Sequence, residues 1–388
     1  MVFNDCIVMA GGAGTRLWPA STSKRPKQFL SVPPDRSFFA AAVERALMVI
    51  ENAEDSRIII IAGKNHVPAI VDACAVFSPA QKKQLVLIPE PEAKNTAPAI
   101  ACSLIYTNWV NGGLDRKILV LSSDHLIEPP DIFRADATAA AAFAQQDKLA
   151  VFGITPVSPH TGYGYIETSD LLSIPPKEGT RKASHYESEV RRALSFREKP
   201  DRKKAEGFIK AGNFYWNSGM FAFSSKFMLE EFRTTAPEVI NPFFKLRAPD
   251  ERSYMTRKGL RILEKWEDLE IAYKKALKIS FDYAIAEKCR QTVMVKAAFQ
   301  WIDVGSWDEY IKLLHEKTNA EVYRCASESS FVDSDIPVAL VNAEDLIVVI
   351  RCGKNGGPPA ALIARKGETQ KIREIVEQIK AAGRTELL

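Results

Sequence analysis

Short apolar runs rich in β-branched residues alternate with helix-length segments through the first third of the chain. The predicted strands lie at residues 2–10, 57–62, 84–88 and 117–121, and the predicted helices at 37–52 and 97–110. Strand–helix–strand units of this length join parallel strands by right-handed crossovers. Because these strands are apolar throughout, helices are expected on both faces of the sheet. The pattern therefore predicts an α/β domain built on a mainly parallel sheet.

The rhythm changes after residue 149. The runs "LAVFGITP", "YGYIETS", "ALSFREKP" and "FYWNSGMFAFS" are predicted strands separated by loops, which indicates a mixed or antiparallel extension of the sheet. A helical stretch is predicted at 226–278. Near residue 318 a second region begins, with short strands at 331–350 and an amphipathic helix at 370–381. We therefore predict a main domain at 1–317 and a small β segment with a final helix at 318–388.

Composition excludes several classes of protein. With 388 residues and 46% hydrophobic content, the chain can bury the core of more than one domain. The net charge of +4 is mild and spread along the chain, which argues against nucleic acid or an acidic membrane surface as partner. The six cysteines form no C-x-x-C pair, and no apolar run is long enough to cross a membrane. Without a signal-like N-terminus, a cytoplasmic location is expected.

A glycine-rich loop follows the first predicted strand. Gly11, Gly12 and Gly14 come directly before Thr15 and Arg16. Glycines let the backbone approach an anion with its N–H groups, and an arginine can grip phosphate oxygens with a fork of donors. The spacing matches no Walker A motif. It also differs from the dinucleotide fingerprint, because leucine stands where the third glycine belongs and prolines follow. The loop is predicted to bind a polyphosphate, with Lys27 as a second cation.

Eight motifs in chain order carry a family resemblance. They are "GGAGTRLWPASTSKRPKQFL", "EPEAKNTAPAI", "LSSDHLI", "TGYGYIE", "FREKP", "WNSGMF", "SFDYAIAEK" and "WIDVGSW". Together they resemble the sugar-1-phosphate nucleotidylyltransferases. Trp18 and the ending "PKQFL" resemble the mannose-1-phosphate guanylyltransferase branch. The resemblance implies a Rossmann-like nucleotidyltransferase domain followed by a β-helical segment and a final helix.

The resemblance implies that GTP and mannose 1-phosphate give GDP-mannose and pyrophosphate by in-line attack on the α-phosphorus. Such chemistry needs positioning and charge neutralisation rather than a covalent intermediate. Arg16, Lys27 and Asp124 are the implied catalytic residues, and Asp124 and Asp303 the implied Mg²⁺ ligands. Both aspartates follow predicted strands, where α/β sheets bind ligands. Read locally, each could instead be a turn or loop residue.

The resemblance also assigns binding residues. The implied nucleotide-binding residues are Gly11, Gly12, Gly14, Thr15, Asn95 and Thr96. The implied sugar-phosphate-binding residues are Gly162, Tyr163, Gly164, Glu198, Lys199, Asn217 and Gly219. Local alternatives remain for some of them: Asn95 is also a good helix N-cap, and Glu198 with Lys199 could be a surface pair before a helix.

Three further expectations follow from the sequence. The same chemistry with another sugar 1-phosphate or nucleoside triphosphate is the nearest alternative, and a non-catalytic regulatory subunit that binds nucleotide sugars is the rival from another class. Phosphomannose isomerase activity, found in two-function relatives, is expected to be absent because only His315 follows His185. The short strands of the second region lead to the hypothesis of a homodimer.

Overall fold

The computed structural model describes residues 2–12, 14–32, 36–51, 54–174, 188–314, 320–353 and 358–388. The predicted domain boundary at residue 317 lies outside the described residues, as do His185 and His315.

The strands of the described residues are, in chain order, β1 (Asp5–Met9), β2 (Ser31–Val32), β3 (Arg36–Ser37), β4 (Arg57–Gly63), β5 (Leu85–Glu90), β6 (Lys117–Ser122), β7 (His125–Glu128), β8 (Leu149–Ile154), β9 (Gly164–Leu171), β10 (Glu189–Glu198), β11 (Phe214–Ser224), β12 (Tyr254–Arg257), β13 (Leu260–Leu263), β14 (Thr292–Lys296), β15 (Gln300–Asp303), β16 (Val322–Cys325), β17 (Phe331–Ser334), β18 (Val338–Val341), β19 (Leu346–Arg351) and β20 (Ala360–Arg365).

The α-helices of the described residues are α1 (Phe38–Val49), α2 (Val67–Ala73), α3 (Pro79–Lys83), α4 (Thr96–Val110), α5 (Pro130–Ala144), α6 (Arg202–Ala211), α7 (Ser225–Thr235), α8 (Pro237–Ile240), α9 (Leu269–Lys275), α10 (Trp307–Tyr310) and α11 (Ile372–Ala381). A π-helical turn covers Asp282–Ala286.

One large sheet organises the main domain. Its strand order is β12-β13-β5-β4-β1-β6-β11-β8-β14-β10-β9. The strands β13, β5, β4, β1 and β6 run parallel, and β11 is antiparallel to its neighbours β6 and β8. This mixed, mainly parallel sheet confirms the predicted fold class. The carboxyl ends of β1, β5 and β6 share one edge, and the motif residues gather there.

Helices cover both faces of the sheet because alternate strand residues point to opposite sides. Val8 belongs to the core that includes residues of α1 and α5, whereas Ile7 belongs to the core that includes residues of α4 and α7. Both strand residues are fully buried. Burial on both faces explains why these strands lack polar alternation.

The prediction of a helical stretch across residues 226–278 was wrong in its centre. The hairpin of β12 and β13 interrupts the helices there, and β13 joins the sheet edge in parallel with β5. The hairpin turns at Lys258 and Gly259, both with positive φ. Glycine adopts this conformation without steric cost. Alternating apolar residues in "LRIL" are the signal for this strand.

The second region packs on the main domain rather than standing apart. Its strands form a parallel pair, β16 with β18, and a three-stranded sheet in the order β17-β19-β20. Ile347 and Val349 of β19 share a buried core with Leu17 and Trp18 from the glycine loop and with Trp307 of α10. No helix among the described residues has the length and apolar character needed to cross a membrane.

Candidate functional site

The glycine loop (residues 11–27) leaves β1 at the carboxyl edge of the sheet. Gly12 and Gly14 have positive φ angles of 102° and 57°. A Cβ on Gly14 would lie 2.4 Å from the backbone nitrogen of Lys27, so only glycine allows the loop to close on itself. The loop continues into the 3₁₀ turn Thr15–Leu17, which contains Arg16. A second 3₁₀ turn begins at Lys27.

Lys27 meets both predicted metal ligands. Its Nζ lies 3.2 Å from Asp124 Oδ2 and 2.7 Å from Asp303 Oδ1. Asp124 stands between β6 and β7, and Asp303 ends β15. Since β15 pairs with β7 so that Asp303 is opposite His125, residues far apart in the sequence become neighbours.

The charges in this group stabilise each other. Burial opposes ionisation of Asp124, but the Lys27 ammonium outweighs it and holds the pKa of that carboxyl well below its usual range. The pKa of Asp303 is lowered by the same balance, and the pKa of Lys27 is raised by the two carboxylates against the effect of its burial. Two carboxylates and one ammonium leave one net negative charge, which suits a further cation.

Asp124, His125 and Asp303 each offer a ligand atom, and these atoms lie within 4.8 Å of one another. His125 is poorly suited as a metal ligand, however, because the lone pair of its Nδ1 already accepts a hydrogen bond from Trp301 Nε1 at 3.1 Å. The proton of the neutral imidazole then resides on Nε2, which faces Asp124 Oδ1 at 3.7 Å. The two carboxylates remain as the candidate ligands, and carboxylate oxygens suit hard divalent cations such as Mg²⁺.

Tyr163 links this group to the predicted sugar loop. Its ring stacks on His160 with centroids 3.9 Å apart and meets Trp301 edge-on at 5.3 Å. Burial, followed by the negative charges of Asp303 and Glu309, raises the pKa of its phenol. Tyr163 therefore lies close to the acidic group.

Arg16 approaches the same place from the glycine loop. Its Nη1 is 3.3 Å from the position that a Cβ on Gly305 would take, two residues after Asp303. The absence of a side chain at Gly305 thus leaves room for the guanidinium. The structure brings Arg16, Lys27, Asp124, Asp303 and Tyr163 into one neighbourhood.

The other predicted sugar residues form an adjoining group. Glu198 of β10 is opposite Gly164 of β9, and a Cβ on Gly164 would lie 2.2 Å from Glu198 Oε2. Asn217 Nδ2 donates to Asp282 Oδ1 at 2.6 Å. Gly219, at a φ of 71°, donates its N–H to Asn217 Oδ1 at 3.0 Å. The sugar motifs of β9, β10 and β11 therefore converge on one place.

Negative charge accumulates in this second group. Burial, reinforced by the charge of Asp282, raises the pKa of Glu198 to about 7, although Lys199 opposes the shift. Burial also raises the pKa of Asp282. Lys199 has a left-handed backbone with a φ of 49°. Carboxyl and amide groups so arranged can bind a polyhydroxylated ligand.

Asn95 and Thr96 use their side chains within the protein. Asn95 Oδ1 accepts from the Thr96 N–H at 2.8 Å, as an N-cap of α4. Thr96 Oγ1 accepts from the Phe281 N–H at 2.8 Å, which joins two of the sequence motifs. Their predicted role at the nucleotide stays a prediction.

Glu90 is a residue that sequence reasoning missed. It ends β5 and is only 7% exposed. Tyr273 donates its hydroxyl to Glu90 Oε1 at 3.1 Å, while Oε2 lies 3.9 Å from the position of a Cβ on Gly11. Burial raises the pKa of this carboxyl to about 7. The available signal was a single charged residue closing the otherwise apolar strand "LVLIPE".

The family model described as nucleotidyl transferase matches residues 5–320. The chain belongs to the nucleotidyl transferase family. It is therefore an enzyme of the class predicted from the eight motifs.

Curated relatives extend the similarity through the second region. The chain is 34% identical over 386 residues to the xanthan biosynthesis protein XanB of Xanthomonas campestris, covering 98% of this chain and 74% of that protein. It is 31% identical to the mannose-1-phosphate guanylyltransferase of Escherichia coli K12, with the same coverage. Both alignments cover more of the chain than the family model does. They confirm the resemblance that the motifs indicated.

A solved structure matches the fold over nearly the whole length. The protein of Thermus thermophilus titled mannose-1-phosphate geranyltransferase superposes with a TM-score of 0.74 at 25% identity, covering 97% of this chain and 99% of that one. This nucleotidyltransferase therefore shares both its main sheet and its second region with a known architecture.

Proposed function

We propose that this nucleotidyltransferase makes GDP-mannose and pyrophosphate from GTP and mannose 1-phosphate. The observation that carries the proposal is the convergence of Asp124 and Asp303 on Lys27 beside the glycine loop. The sugar is proposed from the relatives, since several of them are named mannose-1-phosphate guanylyltransferases.

The proposed reaction is an in-line displacement. A phosphate oxygen of the sugar phosphate forms a bond to the α-phosphorus of GTP, and the bond from that phosphorus to the β-phosphate oxygen breaks, releasing pyrophosphate. The barrier comes mainly from the approach of two polyanions. Arg16 and Lys27 neutralise this charge, and backbone N–H groups of Gly11, Gly12 and Gly14 hold phosphate oxygens.

Asp124 and Asp303 fit a divalent cation, because both are ionised and within reach of one point. Mg²⁺ bound there would neutralise negative charge on the substrate phosphates and help to orient them. Ser122 keeps Asp124 in position by donating to its Oδ1 at 2.7 Å.

The sugar phosphate is proposed to bind at the second group. Glu198 accepts hydrogen bonds from sugar hydroxyls, and the Lys199 ammonium attracts the phosphate. Asn217 and Gly219 line the site beside Gly164. Tyr163, next to both groups, closes over the sugar where its phosphate meets the nucleotide.

Glu90 supports guanine as the base. The guanine edge presents two neighbouring donors, N1–H and the 2-amino group, which match the two oxygens of a carboxylate. Uracil and thymine present one N–H between two carbonyl groups, and the edge of adenine presents one donor next to an acceptor. An ionised Glu90 would therefore prefer GTP, with the ribose lying towards Asn95 and Thr96.

The testing experiment is pyrophosphate release across a matrix of nucleoside triphosphates and sugar 1-phosphates, with and without Mg²⁺. We expect a maximum for GTP with mannose 1-phosphate that a chelator abolishes. A maximum for another pair would contradict the proposed substrates but would still agree with the proposed nucleotidyl transfer. Binding of nucleotide sugars without any turnover would instead support the regulatory-subunit alternative.

Two further proposals concern the domain organisation and the oligomeric state. We propose that residues 318–388 form the β-helical second domain, and that the protein is a homodimer through this region. Tyr323 of β16 and Val341 of β18 are 60% and 66% exposed, which leaves apolar surface for a second copy. A monomer mass in sedimentation at micromolar concentration would contradict the dimer.

A further inference from the structure

Trp18 stands at the meeting point of three parts of the molecule. It belongs to the glycine loop, two residues after Arg16, and is 8% exposed. Its indole Nε1 donates to the backbone carbonyl of Leu387 at 2.7 Å. Its own carbonyl accepts from the indole of Trp307 at 3.0 Å. The two indoles therefore connect the end of the second region to the loop and the loop to α10.

The helix α10 carries this connection to Asp303. Trp307 follows Asp303 by four residues and is fully buried. Next to it, Asp308 accepts from the Gly367 N–H at 2.7 Å and from the Thr369 hydroxyl, immediately before α11. Tyr310 donates its hydroxyl to the Ser31 carbonyl at 2.8 Å, just beyond the glycine loop. A single turn of helix thus binds both the second region and the loop.

The internal hydrogen bonds of the glycine loop are short-range: the Ser21 N–H donates to the Leu17 carbonyl and the Thr22 N–H to the Arg25 carbonyl, both at 3.0 Å. Between Thr15 and Lys27 it contains two prolines and only short 3₁₀ turns. Its apolar side chains, Leu17 and Trp18, pack in a core completed by Val349 and Ile372 of the second region. Ser23 adds a hydrogen bond from its hydroxyl to the Leu388 carbonyl at 2.6 Å. The placement of the loop on the rest of the protein therefore relies in part on residues of the second region.

We propose that Trp18 and Trp307 form a latch by which the second region fixes the glycine loop, with Arg16, relative to Asp303. Trp18 is then a positioning residue for nucleotidyl transfer. Phosphoryl chemistry depends on placing charged groups correctly, and small displacements are costly. This inference rests on the roles proposed above for Arg16 and Asp303.

The test replaces Trp18 by phenylalanine, which keeps an aromatic ring in the core and removes the N–H donor. Trp266→Phe is the matched control: Trp266 is 7% exposed, and its Nε1 donates to the Arg247 carbonyl at 2.8 Å in a different core. Both variants lose one hydrogen bond and comparable packing, so their loss of thermal stability should be similar.

We expect kcat to fall about fivefold in Trp18→Phe, the range of one lost hydrogen bond, with KM for the sugar phosphate unchanged. Trp266→Phe should keep wild-type kcat. Amide hydrogen exchange should accelerate at residues 14–27 only in Trp18→Phe. Trp307→Phe should resemble Trp18→Phe, and the double variant should lose less than the product of the two single losses.

Equal kcat in the Trp18 and Trp266 variants, or unchanged exchange in the loop of Trp18→Phe, would overturn the latch. Arg16→Gln, which removes the positive charge, tests the proposed function separately. If Arg16→Gln turns over like the wild type, the proposed role of Arg16 is wrong, and the exchange measurement still decides whether the latch holds the loop.

Discussion

At the scale of residues, three chain-distant side chains form a compact charged group. Lys27 lies between Asp124 and Asp303, so each carboxylate is ionised although burial opposes it. An ammonium in this position also offsets the electrostatic repulsion between the two carboxylates. Because Lys27 has two partners, the loss of one leaves it paired. Function and stability can therefore be separated here.

Asp303→Asn is expected to lower turnover in Mg²⁺ about 100-fold or more, since one charged ligand is lost. Folding stability should fall by only about 1 kcal/mol, because Lys27 keeps Asp124 as its partner. Turnover and urea unfolding are measured side by side. Asp333→Asn is the control: the Asp333 side chain is as exposed as that of Asp303 and forms an ion pair with Arg351. This change should lower folding stability and leave turnover at the wild-type level. Near-normal turnover of Asp303→Asn would refute the metal assignment.

Glu90 leads to a prediction about pH. Burial raises its pKa from 4.5 to about 7, and only the ionised carboxylate accepts from both donors of guanine. We expect kcat/KM for GTP to rise with pH and to level off above about pH 7. Glu90→Gln should lower kcat/KM for GTP roughly 10- to 100-fold above pH 7, the range of lost charged hydrogen bonds. Glu92→Gln, in the same motif but half exposed, is the control.

Ionisation of Glu90 is expected to raise kcat/KM but to lower the folding stability. Between about pH 4.5 and 7 the unfolded chain loses this proton while the folded protein keeps it, so the group lowers stability as pH rises through that window. Glu90→Gln should therefore be more stable than the wild type at pH 8, by roughly 3 kcal/mol, and nearly equal at pH 4.5. Urea unfolding at both pH values checks this. A variant less stable than the wild type at pH 8 would show that burial is not the dominant cause.

Among the secondary-structure elements, the register of β9 with β10 sets the geometry of the proposed sugar site. Gly164 is opposite Glu198, and a Cβ there would lie 2.2 Å from the Glu198 carboxylate. A side chain at residue 164 must therefore displace that carboxylate. The strand pairing, rather than the local sequence, makes this glycine necessary.

Gly164→Ala should raise KM for the sugar phosphate about tenfold, because the displaced Glu198 loses hydrogen bonds to the sugar, while KM for GTP stays close to normal. Initial-rate kinetics with each substrate varied in turn check the prediction. Gly207→Ala is the control: a Cβ on Gly207, within α6, meets no atom within 4 Å. That change should leave both KM values unchanged and stabilise the helix by about 0.5–1 kcal/mol. An equal rise in both KM values would argue against a local effect.

At the scale of the whole molecule, one core joins the second region to the site. Val349 of β19 is buried in the core that contains Leu17 and Trp18, whereas its neighbour Val348 faces a small core within the second region. Adjacent residues of one strand thus support different parts of the protein. We expect the two regions to unfold together.

Val349→Ala and Val348→Ala remove the same atoms from opposite faces of β19. Each should cost about 1–3 kcal/mol through lost burial and the cavity left behind. Only Val349→Ala should accelerate amide exchange in the glycine loop. Unfolding followed by circular dichroism and by tryptophan fluorescence should show one coincident transition. Separate transitions, or equal effects of the two variants on the loop, would contradict a shared core.

The sheet class and the family could be predicted from the amino-acid sequence alone, whereas the predicted site residues stay a prediction and Glu90 was not among them. Apolar strands alternating with helices can bury both sheet faces in few ways, and ordered motifs carry the family's residue types. The hairpin at Lys258 and Gly259 escaped prediction because its short strands are stabilised by the neighbouring sheet edge.

Which of these groups lie next to one another depends on the three-dimensional fold. Local sequence cannot show that Asp303 lies opposite His125, that Glu90 lies beside Gly11, or that the indole of Trp18 reaches Leu387. These contacts join residues tens to hundreds of positions apart. Their distances follow from strand register and shared cores, and the pKa values of the carboxyl groups follow in turn from the burial and the charges that those contacts create.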